Sequence, residues 1–229
     1  MLRLFKRRAK SKVSDYVAAS FANNGLCIAA AKAQADETAI DYLEFFPSNS
    51  LEQQQQTLTR QLQEHWQQPL LSINLNPGQY QLVNLEPPDV QWAEMRSAIQ
   101  WSAKDMLDHN VDDLYLDVFA VPDDAFRQQK KMIYVAALQK QYLHRLMTPL
   151  QQHKVKTSQV GIAELNLCAT TSGISSKGAL AMLVIQAESA LLNITVGGQL
   201  YLTRLFRVQK FNTTSLPALA SIDEPSSRS

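Results

Sequence analysis

From Ala179 to Phe206 the chain is rich in apolar residues, with its main breaks near 186–189 and at Gly197-Gly198. Paired glycines take positive φ without strain, as a tight hairpin requires. The stretch therefore predicts strand, short turn, strand, glycine turn, strand. Three strands so closely linked put sheet into the fold and exclude an all-helical chain.

The rest of the sequence mixes the 2.0 and 3.6 periods. Asp15 to Lys32 predicts two strands around Asn23-Asn24-Gly25, residue types that tolerate positive φ. A third strand follows around Thr38–Phe45, closed by Pro47. Leu51, Leu58, Leu62 and Trp66 share one face of a helix that Pro69 ends, with Gln53 to Gln56 largely on solvated positions. Leu70–Leu75 and Tyr80–Leu85 read as short strands separated by the turn Asn76-Pro77-Gly78. Pro87-Pro88 then forms a semi-rigid spacer and marks a subdomain boundary.

Beyond it, Asp89 is expected to cap a helix over 91–107 whose apolar face is Trp92, Met95, Ile99, Ala103 and Met106. Strands over Leu114–Val121 and Lys131–Leu138 complete a small sheet with helices on one face. Gln139–His153 is the next helix, with Tyr142, Leu143, Leu146, Met147 and Leu150 as its stripe and Pro149 expected to kink or loosen it. Ala163–Thr171 is a further helix, and 171–177 a flexible joint. From Phe211 the chain is rich in Ser, Thr and Pro and is expected to have no fixed structure.

Composition narrows the function. Lys and Arg number 22 against 21 Asp and Glu, a net charge of +1, which argues against a dedicated nucleic-acid binder. Cys27 and Cys168, the two cysteines, sit in apolar stretches and read as core thiols of a reduced, cytoplasmic protein. No apolar run approaches the ~18–20 residues of a membrane helix. Residues 1–12 are basic, with Leu2, Leu4 and Phe5 interspersed. They read as a solvated tail or as a weak membrane-surface contact, and lack the core of a signal peptide.

Asp105, Asp108, His109, Asp112 and Asp113 form an acidic cluster. Metal binding is one reading, but a solvated helix end is preferred because no second histidine is near. His65, His144 and His153 have no acidic or cysteine partner at ligand spacing, and His153 reads as a partner of its helix dipole. Neither cysteine neighbours a histidine, and Gly-x-Ser-x-Gly is absent, so no triad is indicated. Trp92 and Trp101 fall on opposite sides of one helix, one expected in the core and the other at an edge or interface.

Three segments carry a family resemblance: MRSAIQWSAKDML followed by DDLYLDVFAV, MIYVAALQKQYLHRLMTPLQQHKVKTSQVGIAELNLCATT, and the terminal meander. In order and spacing, over roughly residues 12 to 208, they resemble the actin-like proteins of type IV pilus assembly. These are the PilM family, and more closely the MshI proteins of the mannose-sensitive haemagglutinin (MSHA) pilus. The resemblance implies an α/β, actin-like (ribonuclease H-like) domain with a small inserted α/β subdomain and a truncated second half. It divides the chain into a basic tail (1–12), a first subdomain (13–86), the insert (87–138), the remainder of the first subdomain with a crossing helix (139–171), a partial second-subdomain hairpin (177–208) and a tail (209–229).

The family's nucleotide loops are altered here. Ser20-Phe21-Ala22-Asn23-Asn24-Gly25 stands for the first, with serine for the acid and alanine for the glycine. At the second, Val184-Ile185-Gln186-Ala187-Glu188-Ser189 has valine for the acid and Gln186 for the glycine, and Glu188 adds a negative charge. A carboxylate about 4 Å from a phosphate oxygen repels it by ~4 kcal/mol at an effective dielectric near 20. The expectation is a pseudo-ATPase scaffold with no catalytic, cofactor-binding or metal-binding residues and no cofactor. The resemblance also implies a location at the cytoplasmic side of the inner membrane. The implied partner is the cytoplasmic tail of a bitopic inner-membrane pilus assembly protein (PilN/MshJ-like), in a groove between the Leu70–Leu85 strands and the insert Gln91–Leu138. Alternatives are an actin-like ATPase or kinase with divergent loops, and the cytoplasmic domain of a type II secretion assembly protein. If the second half is absent, an apolar face on the last hairpin is expected, with association through Ala179–Phe206.

Overall fold

The computed structural model describes residues 16–33, 38–125, 131–174, 178–186 and 189–208. The basic tail, Ala187, Glu188 and the residues from 209 onward lie outside these.

β1 (Tyr16–Ala22), β2 (Gly25–Ala33) and β3 (Thr38–Pro47) form an antiparallel meander. The first turn forms as the sequence predicts, but neither Asn23, Asn24 nor Gly25 takes a positive φ. Gly25 is required for space instead. A Cβ there would lie 2.4 Å from the Phe45 ring and 2.5 Å from the Phe46 carbonyl oxygen.

α1 (Leu51–His65) starts at Ser50, whose hydroxyl accepts from the Gln53 N–H. Its stripe is buried through Leu58, Leu62 and Trp66. The glutamines depart from expectation, because Gln54 and Gln55 are buried. The Gln54 amide donates to the carbonyls of Ala22 and Ser48, both at 2.9 Å, and so ties α1 to the end of β1. β4 (Leu70–Leu75) then runs parallel to β1.

β5 (Gln81–Leu85) is not a strand of the first sheet. It pairs with β7 (Ile133–Gln139), which also pairs with β6 (Leu114–Ala120), giving a three-stranded sheet in the order β5-β7-β6. The chain thus crosses between sheets at 76–80, ahead of Pro87-Pro88. The helix predicted over 91–107 is a 3₁₀ turn at Trp92–Glu94, α2 (Met95–Ser102) and a second 3₁₀ turn at Lys104–Met106. Its cap position is Gln91, not Asp89, and no side chain caps it. Met95, Ile99 and Ala103 are buried against the sheet. Trp92 and Trp101 are both exposed, at 55 % and 82 %, so neither is the expected core residue.

α3 (Lys140–Gln152) runs through Pro149 without ending. A proline removes the N–H that its helix would give to the carbonyl four residues earlier. That carbonyl, on Arg145, accepts a 2.6 Å bond from the buried Gln55 amide of α1. β8 (Lys156–Ile162) joins β4 in parallel, so the first sheet has the order β3-β2-β1-β4-β8. Val17, Ala19, Phe21, Leu26, Ile28, Leu71 and Ile73 bury its inner face against Leu58 and Leu62 of α1 and Leu146 and Leu150 of α3. Each of the Val, Leu, Ile and Phe side chains among them contributes roughly 1.5–3 kcal/mol.

α4 (Ala163–Ile174) leads to the last sheet, β9 (Ala179–Ile185), β10 (Ser189–Val196) and β11 (Gln199–Arg207), in the order β11-β10-β9. Gly197 and Gly198 take φ of +56° and +77°, as the glycine turn predicts. The face toward α4 is partly polar. Asn193, fully buried, donates to the Glu164 carbonyl at 2.8 Å and accepts from Thr203 at 2.7 Å. Thr195 donates to Thr171 at 3.0 Å.

Candidate functional site

The register of the first sheet sets Ser20 beside Asn74, and Asn74 beside Gly161, at the ends of three parallel strands. The Ser20 hydroxyl accepts from the amides of Asn74 at 3.3 Å and Asn76 at 3.0 Å. Asn76 also donates to the Phe21 carbonyl at 2.6 Å. Asn166, in the first turn of α4, donates to the Asn74 side-chain oxygen. Gly161 leaves room for it, since a Cβ there would meet the Asn166 amide oxygen at 3.0 Å.

Facing this amide cluster is the end of the last sheet. The Gln186 N–H donates to the Ser189 carbonyl at 2.7 Å, and the Ser189 hydroxyl to the Gln186 side chain at 3.3 Å. Between them lies a cavity of about 160 Å³ lined by Asn74, Asn76, Asn166, Thr170, Gln186 and Ser189. Of the two stretches singled out in the sequence, 184–189 lines this cavity through Val184, Gln186 and Ser189, whereas 20–25 does not line it and reaches it only through the bonds of Ser20 and Phe21 to Asn74 and Asn76. Glu188 is outside the described residues, and among those described no carboxylate lines this cavity.

The sequence gives no hint of Asn74, Asn76 or Asn166 as a unit. They lie as many as 92 residues apart, and single asparagines carry no periodic signal.

Glu164, also in the first turn of α4, lines a different cavity of about 360 Å³ with Tyr80, Tyr134 and Arg204. Tyr80 donates to its carboxylate. Burial raises the Glu164 carboxyl above its ordinary value, against the lowering effect of the Tyr80 bond. Burial, and secondarily Glu164, push the Cys168 thiol up to about 11. Cys27, by contrast, is only half-buried.

Asp105, Asp108, His109, Asp112 and Asp113 are exposed. Asp112 gives its N–H to Asn110 as part of a 3₁₀ cap. Among the described residues no three His, Cys, Asp or Glu side chains come together as a metal site. His65 meets Tyr42 and Trp66 in tilted ring contacts, at 47° and 58°, His153 bonds to Gln63 at 3.1 Å, and His144 is exposed. No helix of the described residues is long and apolar enough to cross a membrane.

A cleft between two sheet-bearing halves joined by a crossing helix, with a small α/β insert on the first half, is the arrangement of the actin-like ATPase fold. Solved structures agree. The chain is similar to the cytoplasmic domain of EpsL, an inner-membrane component of the type II secretion system of Vibrio cholerae (TM-score 0.60, 9 % identity), covering 85 % of this chain and 71 % of that one. It is similar to a chain of the PilM-PilN type IV pilus biogenesis complex (TM-score 0.64, 15 % identity), covering 85 % and 62 %. A Bacteroides thetaiotaomicron protein with an actin-like ATPase fold and unknown function gives TM-score 0.55 at 9 % identity, covering 88 % and 73 %. The chain thus spans between 62 % and 73 % of the length of these three. No protein-family model and no curated protein matches it.

Proposed function

We propose that this chain is a non-catalytic scaffold of type IV pilus assembly, of the MshI kind in the MSHA pilus, acting at the cytoplasmic side of the inner membrane. Its partner on this reading is the cytoplasmic segment of a bitopic assembly protein of the PilN or MshJ kind.

The observation that carries the reading is the amide-filled cleft. A polyphosphate with Mg²⁺ needs free backbone N–H groups and a carboxylate to hold the hydrated ion. Here Ser20, Asn74, Asn76 and Asn166 are bonded to one another, and the Gln186 N–H is taken by Ser189. The cavity they leave, about 160 Å³, is below the ~300 Å³ at which ligand pockets begin.

A polypeptide has more room elsewhere. A groove of about 530 Å³ opens between the first sheet and the crossing to the insert, lined by Ala22, Asn23, Asn49, Leu51, Gln79 and Tyr142. Because β5 belongs to the insert, this groove replaces the one expected beside Leu70–Leu85.

Titration with Mg-ATP is expected to give no saturable heat, and a Kd below about 100 µM overturns the non-catalytic reading. Co-purification with the single-span partner should be weakened by Asn23→Arg combined with Asn49→Arg, both exposed in the groove. Undiminished association places the partner elsewhere. The likeness to the EpsL cytoplasmic domain favours a second reading, a type II secretion scaffold. Which assembly's membrane protein is retained distinguishes the two.

A further inference from the structure

α1 and α3 cover the first sheet side by side, and the seam between them is closed at both ends. At one end Glu52 pairs with Arg145 at 3.8 Å, and the Gln55 amide donates to the Arg145 carbonyl. At the other, Gln63 meets His153 at 3.1 Å. Between these ends opens a groove of about 410 Å³, lined by Gln56, Thr59, Arg60, Gln63, Pro149 and His153, with Glu52 and Gln55 at its far end.

Thr59 is 7 % exposed, and its buried hydroxyl has no hydrogen-bond partner among the described residues. A helical threonine ordinarily gives its proton to the carbonyl four residues back. Thr148 does so to His144 at 2.7 Å and Thr170 to Asn166 at 3.0 Å, but Thr59 does not. An unmade buried bond is costly, so such a group points to something that completes it. Beside it, the side chains of Gln56 and Arg60 make no hydrogen bond or ion pair among the described residues. The Gln63 amide nitrogen can only donate, so His153 Nδ1 accepts and the ring proton sits on Nε2, a further donor. Glu52, the carboxylate in the lining, is paired with Arg145 and lies about 12 Å along α1 from Arg60.

We infer that this groove binds a phosphate group. Arg60 supplies the charge, and the Thr59 hydroxyl, the Gln56 amide and His153 Nε2–H supply neutral hydrogen bonds. Thr59 and Gln56 can accept as well as donate, so it is Arg60 that fixes the sign of the ligand. Guanidinium pairs with phosphate through two parallel N–H bonds. Phosphate oxygens also point out of one plane, so donors from two helices can share them, whereas the two oxygens of a carboxylate cannot leave theirs. An apolar ligand leaves the Thr59 hydroxyl unpaired, and a cation meets Arg60. Two sources carry the same chemistry, the headgroup of an anionic lipid and a soluble phosphate ester. The inference does not rest on the pilus reading.

The test is the thermal midpoint of the full chain at constant ionic strength, with inorganic phosphate exchanged for chloride up to about 50 mM, for the parent, Thr59→Val and Arg60→Gln. A ligand of the folded state raises the midpoint as its concentration rises. The parent is expected to show that rise, and each variant to lower the apparent phosphate affinity at least about tenfold. Valine keeps the shape of Thr59 and removes an unpaired hydroxyl, so in chloride Thr59→Val should match or exceed the parent. Co-sedimentation with phosphatidylcholine vesicles carrying about 30 % phosphatidylglycerol separates the sources. Binding to a headgroup falls in Thr59→Val, whose charge is the parent's. A soluble ester gives the phosphate response with sedimentation unchanged by that variant. A parent midpoint indifferent to phosphate overturns the inference, as does a rise that either variant retains. So does a Thr59→Val chain less stable than the parent in chloride, because the hydroxyl then has a partner within the protein.

Discussion

The meanders β1-β2-β3 and β9-β10-β11 share a topology but bury different chemistry. The first turns Val17, Ala19, Phe21, Leu26 and Ile28 inward onto two helices. The second turns Asn193 and Thr195 inward, with Leu191, onto α4. Apolar burial stabilises the first core without direction, and directional bonds from Gln54 and Gln55 of α1 are added to it. The second is fixed to α4 by bonds of defined geometry, which resist sliding and cost dearly when one partner is lost. The same strand order thus serves as bulk core in one half and as a keyed joint in the other.

The largest expected effect lies at the first hairpin. Gly25→Ala places a methyl against the Phe46 carbonyl, part of a paired strand that cannot retreat, and should cost about 3 kcal/mol in denaturant unfolding. A cost near zero breaks the packing account of this glycine. The cover of the first sheet comes next. Gln55→Ala strands the Arg145 carbonyl and should cost about 1–3 kcal/mol. Pro149→Ala restores a helical N–H to that carbonyl, so Gln55→Ala should be milder in its presence. A double-mutant cycle with no coupling removes the link.

At the second hairpin, Gly197→Ala should cost only about 1 kcal/mol. Its φ of +56° strains a side chain, yet nothing lies within 4 Å of the new Cβ. Gly197→Asn should recover most of the loss, whereas Gly25→Asn should recover none. The smallest effect is a pH dependence in the keyed joint. The folded Glu164 carboxyl holds its proton more tightly than the unfolded one. Its contribution is complete below the unfolded value of about 4.3 and is lost as pH rises through the folded value. Glu164→Gln should match the parent at about pH 4 and exceed it in thermal midpoint at about pH 8. A variant weaker at pH 8 shows that the Tyr80 bond to the charged carboxylate outweighs burial.

Much of the fold is legible where one residue type has one physical use. Gly197-Gly198 specifies its turn, and Leu58, Leu62 and Trp66 specify the buried face of α1. Legibility fails where partners come from far away. Nothing local marks Gln55 as the residue that answers Pro149, and a glutamine run reads as solvated by default. The assignment of β5 fails for the same reason, because strand period does not say which sheet a strand joins. At the cleft, reading along the sequence reaches Ser20 and Gln186, although Ser20 lies inside β1 and not in a loop. Asn74, Asn76 and Asn166 become a cluster only through the parallel pairing of β1, β4 and β8.

Glu164 also sits where three separate parts of the chain converge. Its side chain takes the hydroxyl of the turn that opens the insert, its carbonyl takes the amide of β10, and it belongs to the helix joining the halves. Any displacement of the last sheet relative to the first would have to carry this residue along or break one of those bonds, so one side chain and its own backbone fasten both halves to the insert.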